Sequence, residues 1–124
     1  MSELLIYFGS TLAVLWGTAH LVVTRSVVNG FGEISRDNRL IITQEWIAEG
    51  VAIVFVGLLA ILVTAMEGVT NPASLIVYRS SAGVFIVLAV LTAVTGARTP
   101  IVPFMVCPFL LAVVAGLFII GSFV

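Results

Sequence analysis

Charge is scarce in this 124-residue chain: 9% of residues are charged, lysine is absent, and the five basic residues are all arginine. A soluble domain carries about 25% charged residues, so an ordinary water-soluble fold is excluded. The lack of a basic tract excludes a nucleic-acid-binding face, and the low polarity excludes a disordered segment. A single cysteine, Cys107, excludes an internal disulfide and any multi-cysteine metal or redox motif. Set in an apolar run, it reads as a small buried hydrophobe. A single histidine, His20, excludes a bis-histidine haem within one chain and offers no second histidine for a triad. A glycine-rich phosphate loop, a nucleophile elbow and the Glu-x-x-His pairs of di-iron bundles are all missing. These residues specify no cofactor and no metal site.

What is present is apolar: 61% of residues are hydrophobic, and the mean hydropathy is +1.29. Four long apolar runs cover residues 4–24, 46–66, 80–97 and 101–124. A membrane crossing takes about 20 residues at about 1.5 Å each, and only helices or closed barrels satisfy their backbone groups in hydrocarbon. Barrel strands would be shorter and would alternate in polarity, which these runs do not. The expected fold is all-α: an integral membrane four-helix bundle, up-down-up-down, forming one domain over residues 1–124. Its spans are expected near 4–25, 44–66, 75–97 and 101–123. The start, Met1-Ser2-Glu3-Leu4, has an acid where a signal peptide wants positive charge, so the first run reads as a retained helix.

The connections differ. Residues 25–44 form the long polar one, with Asn29-Gly30 and Gly32 as turn signals and Ser35 or Asp37 as caps for a helix running on through Trp46. Residues 67–72 read as a helix stop and an Asn-Pro restart, and residues 96–100 as a tight turn. Pro108 either kinks the last helix or marks its first turn. Arg25, Arg36, Arg39 and Arg98 fall on one side and Arg79 on the other. The positive-inside rule then expects both termini outside, in a prokaryotic cytoplasmic membrane.

Small residues mark the packing faces. Gly9, Ala13, Gly17, His20 and Thr24 share one face of the first helix, and Gly50 and Gly57 share one of the second. Ala82, Ala89, Ala93 and Gly96 do so in the third, and Ala112, Ala115 and Gly116 in the fourth.

Packing does not explain His20, Glu45 and Glu49. A charge near the bilayer centre costs about 2.5–3.5 kcal/mol, so such groups face the bundle and find partners. His20 lies five residues inside Arg25, and Glu49 four inside Glu45, on helices of opposite direction. Both reach a depth of roughly 6–8 Å, so neighbouring helices would let His20 meet Glu49 and Arg25 meet Glu45. An imidazole beside a carboxylate can shuttle a proton or hold a ligand. Equally, Glu45 reads as a helix-start residue with an exposed arginine partner, and His20–Glu49 as a structural pair. Trp16 and Trp46 read either as pocket walls, able to stabilise a cation, or, for Trp46, as a boundary-belt aromatic.

The segment Gln44-Glu45-Trp46-Ile47-Ala48-Glu49-Gly50-Val51-Ala52-Ile53-Val54-Phe55-Val56-Gly57-Leu58-Leu59 resembles the second helix of DoxX-like small integral membrane proteins. The likeness implies a four-helix bundle, with Glu49 and Gly50 at the positions of that group's acidic residue and glycine. It implies no single activity, because members range from quinone- or redox-associated subunits to proteins without an assigned role. His20 and Arg36-Asp37-Asn38-Arg39 fall outside it.

Three readings follow. The first is a binding protein for a lipophilic molecule, quinone- or lipid-like, held by His20, Glu45, Glu49, Arg25, Trp16 and Trp46. The second is a membrane enzyme doing acid–base chemistry, an isoprenoid isomerase or cyclase, with Glu49 as base and His20 as its catalytic partner. The third is a ligand-free subunit whose small-residue seams meet a second copy or another membrane chain. The bilayer is a partner in all three, and nucleic acid in none.

Overall fold

The computed structural model describes all 124 residues, and every long element is helical. Helix α1 covers Ser2–Val22, α2 Thr24–Gly30, α3 Arg36–Glu67, α4 Pro72–Val94 and α5 Val102–Gly121, with a 3-10 turn at Gly96–Arg98. Four of these, α1, α3, α4 and α5, are long and apolar enough to cross a membrane. They pack in a ring in which α1 lies between α3 and α5, and α4 lies between α5 and α3. Consecutive spans are antiparallel, as expected of the up-down-up-down bundle.

The burial pattern suits lipid rather than water. Only 27 of 124 residues are buried, while large apolar side chains such as Phe109 (77% exposed), Val87 (65%) and Phe55 (61%) point outward. A soluble protein does not expose apolar surface so continuously. The interior instead holds Ser10, Ser74, Ser81, Thr64 and Tyr78 beside Ile6, Ile53, Phe85, Leu111 and Phe118. The chain is an integral, multi-pass membrane protein.

Local chemistry sets the boundaries. Ser35 caps α3 by accepting a hydrogen bond from the Asn38 N–H at 3.1 Å, so this helix starts ahead of the apolar run and passes through Trp46, as the cap signal implied. Its 32 residues extend about 48 Å at 1.5 Å per residue, beyond the ~30 Å of a hydrocarbon core. The surplus turns stand at the Arg36 end. The first span ends earlier than residue 25: α1 stops at Val22, and after a one-residue break at Val23 the short α2 begins. Arg39 ties α2 to α3 by donating to Asn29 Oδ1 (3.3 Å) and the Gly32 carbonyl (3.1 Å). At the far end, Gly68 stops α3 at φ 79°, a conformation glycine adopts without Cβ strain. Asn71 then accepts from the Ala73 N–H at 2.9 Å, with Pro72 in the first turn of α4. Pro108 lies inside α5 rather than at its start, so the Phe104 carbonyl four residues earlier lacks its helical donor.

The expected small-residue faces hold for α1 and α3. Gly9, Ala13, Gly17, His20 and Thr24 are all buried, as are Gly50 and Gly57. A Cβ on Gly17 would sit 2.9 Å from the Gly50 carbonyl oxygen, and one on Gly57 would sit 2.8 Å from the Ser10 carbonyl oxygen. The α1–α3 seam is thus backbone against backbone. The expected faces fail in part elsewhere: Ala93 and Ala112 are exposed, and nothing lies within 4 Å of a Cβ on Gly116. In α5 the inner face is made by Cys107, Leu111, Val114, Ala115, Phe118 and Gly121, a mixture of large and small side chains.

Candidate functional site

The close α1–α3 seam brings the rare polar residues together. His20 follows Gly17 by three positions and is 7% exposed, while Glu49 directly precedes Gly50. His20 Nε2 lies 3.5 Å from Glu49 Oε2, the one ion-pair contact in the protein. It lacks hydrogen-bond geometry, and Nε2 is shielded without a partner. The His20–Glu49 encounter expected from matched depth is present.

Trp46 fixes the imidazole from behind. Its Nε1–H donates to the His20 carbonyl at 2.8 Å, and its ring stacks on the imidazole at 3.8 Å between centroids and 12° between planes. Phe104 meets the indole edge-on at 5.1 Å. At 8% exposure, Trp46 is a wall of the site, and its reading as a belt aromatic is corrected. The reason is rotational. Trp46 lies one turn from Gly50 on the same face of α3, and that face is turned toward α1.

Beside this cluster lies an open, mostly apolar cavity of about 940 Å³. It is lined by Ile41, Ile42, Glu45, Trp46, Ala48, Glu49 and Ala52 of α3, by Val84, Leu88, Leu91 and Thr92 of α4 with Thr95 just beyond it, and by Phe104 and Cys107 of α5, with Trp16 and His20 at its α1 wall. Its existence follows from how α3 and α4 meet. They are joined at the Gly68 end, where Thr64 Oγ1 and Tyr78 Oη share a buried 2.6 Å hydrogen bond and Ser74 Oγ donates to the Val63 carbonyl at 3.4 Å. Toward the other end the cavity separates them.

The structure gathers Trp16, His20, Glu45, Trp46 and Glu49 around this one cavity. Arg25 is not among them. It is exposed on α2 and makes no ion pair with Glu45: helical spacing turns it about 80° from Gly17, while Thr24, about 20° away, keeps the buried face. Sequence reasoning also passed over Phe31, Ile41 and Leu88, whose apolar character carries no signal of a cavity. Cys107 is buried, and its thiol sits beside Trp16 and Thr92 at the cavity wall. The Trp16 Nε1–H nonetheless finds no acceptor in hydrogen-bond geometry.

No protein-family model, curated protein or solved structure matches this chain. The site therefore has to be read from its own chemistry.

Proposed function

We propose that the protein binds a lipophilic small molecule in the α3–α4 cavity, with the polar end of the ligand at Glu49 and His20. The carrying observation is the coincidence of that large apolar-walled cavity with the only histidine and an adjacent carboxylate. Pockets of roughly 300–1,000 Å³ with apolar walls and few convergent polar groups are the usual form of small-molecule sites. A ligand dissolved in the bilayer reaches such a site sideways, between α3 and α4. By the arginine distribution, this end of the bundle lies on the cytoplasmic side and both termini lie outside. The second-helix likeness to DoxX-like proteins fits a site centred on Glu49 and Gly50.

Native mass spectrometry of the gently solubilised protein tests this reading. The expected result is a retained small molecule, lost in Ala52→Phe, where an aromatic ring is placed on the cavity lining. Retention of the same molecule by that variant, or no bound molecule in either form, overturns it. Turnover of an isoprenoid by the wild type that is lost in Glu49→Gln while binding persists would turn the binding site into an active site.

A further inference from the structure

The ligand class can be narrowed from the charge inventory of the cavity, an inference that rests on the binding reading above. Glu45 and Glu49 are the only Asp, Glu, Lys or Arg residues in its lining. The arginines near this end are directed elsewhere: Arg39 to Asn29 and Gly32, with Arg25 and Arg98 outside the lining. Glu49, with its side chain 32% exposed, accepts no hydrogen bond, and the only basic side chain within 4 Å of it is the poorly aligned His20 imidazole. That imidazole belongs to a residue more than nine-tenths buried, with an unpartnered Nε2.

The hydroxyl groups of the lining offer acceptors rather than donors. The Thr92 and Thr95 hydroxyls already donate to the Leu88 and Leu91 carbonyls, at 2.8 and 2.6 Å. The Trp46 N–H is used by the His20 carbonyl, and the Trp16 N–H is shielded. A carbonyl ligand such as a quinone would have to take its donor from the shielded Trp16 or His20 ring nitrogens, and an anionic headgroup would face two carboxylates. The lining also includes the aromatic side chains of Trp16, Phe31 and Phe104, whose ring faces attract cations.

We infer that the cavity takes a lipophilic organic cation, an amine or quaternary onium group on an apolar body, with Glu49 as its principal counter-charge and Glu45 as the second at the mouth. Low surrounding polarity strengthens that attraction, and no arginine competes for Glu49.

The test uses the full chain in nanodiscs of zwitterionic lipid, titrated with tetraphenylphosphonium, its near-isosteric anion tetraphenylborate, and an uncharged decyl-benzoquinone. Calorimetry is read together with the fluorescence of Trp16 and Trp46, the only two tryptophans, both on the cavity wall. Saturable phosphonium binding without borate binding is expected, weakened about tenfold to a hundredfold in Glu49→Gln, the range of a charge-assisted contact. Glu45→Gln is expected to weaken it less. Should Glu49→Gln fail to fold, Glu45→Gln and the cation–anion comparison on the wild type still decide. Saturable quinone or borate binding without phosphonium binding overturns the cation class and leaves the binding site standing. Phosphonium binding indifferent to both glutamates overturns the class as well. No saturable binding by any probe, together with an empty native spectrum, overturns both readings.

Discussion

Gly17→Ala is expected to loosen the bundle and disturb the site one turn away. The new Cβ would lie 2.7 Å from Val54 Cγ2 and 2.9 Å from both the Gly50 carbonyl oxygen and the Val54 nitrogen. The side-chain contact can be relieved by a rotamer change, but the two backbone contacts cannot. Restoring 2.9 Å to an ordinary 3.4 Å separation requires the helices to part by about 0.5 Å. Overpacking of this kind costs about 1–3 kcal/mol. The same displacement acts on groups three positions further along α1, where the Trp46–His20 hydrogen bond is 2.8 Å and the ring stacking 3.8 Å. Gly116→Ala and Gly83→Ala supply internal controls, since nothing lies within 4 Å of either added Cβ. There, replacing a helical glycine is expected to be neutral or stabilising by up to about 1 kcal/mol. The assay is reversible denaturation in mixed micelles followed by far-ultraviolet circular dichroism, with tryptophan emission recorded on the folded state. Gly17→Ala should unfold at lower denaturant and shift tryptophan emission, and the controls should do neither. Equal stability of Gly17→Ala and Gly116→Ala would refute the claim that backbone contact at the α1–α3 seam holds the site together.

Further perturbations separate the roles of other residues. Thr64→Val is expected to destabilise more than Tyr78→Phe in the same denaturation assay. Thr64 Oγ1 also meets the Ala60 carbonyl at 2.6 Å, so it loses only an incoming donor when the tyrosine hydroxyl goes. Removing the threonine hydroxyl instead strands a fully buried tyrosine hydroxyl, at about 1–3 kcal/mol against about 1 kcal/mol; the reverse order would show that the 2.6 Å contact is not the tie between α3 and α4. Trp46→Phe keeps an aromatic ring against His20 but removes the indole donor, and should cost about 1 kcal/mol with weaker ligand binding by calorimetry. Arg25→Ala should leave ligand affinity unchanged within a factor of about two, and a larger loss would restore this arginine to the site.

The fold was legible because lipid leaves few choices. Four apolar runs of spanning length and short connections imply the bundle, and Ser35 and Asn71 announce the starts of α3 and α4 by capping. Less legible was anything set by side-chain volume. The α5 inner face relies on Leu111, Val114 and Phe118, which the sequence does not distinguish from outward-facing residues of the same kind such as Val113 or Phe109. The cavity itself was invisible, because an absence of packing between α3 and α4 leaves no periodic signature in either helix.

Trp46 shows which information was present but needed a second reference. Depth along the bilayer normal is read by counting residues, and counting brought His20 level with Glu49 correctly. Whether a residue at that depth meets lipid or protein depends instead on rotation about the helix axis. At about 100° per residue, Trp46 lies about 40° from Gly50 around α3, Glu49 about 100° and Glu45 about 140°. If Gly50 marks the direction of α1, those angles alone order the three residues as buried, half-buried and exposed, which is their observed order. On α1, His20 lies about 60° from Gly17 and is buried. Carried on through Val23, whose backbone stays αR, the same phase puts Thr24 about 20° and Arg25 about 80° from Gly17, and they are buried and exposed respectively. Glycines at a backbone-to-backbone seam thus serve as the angular origin from which the rare polar residues of a membrane helix can be sorted.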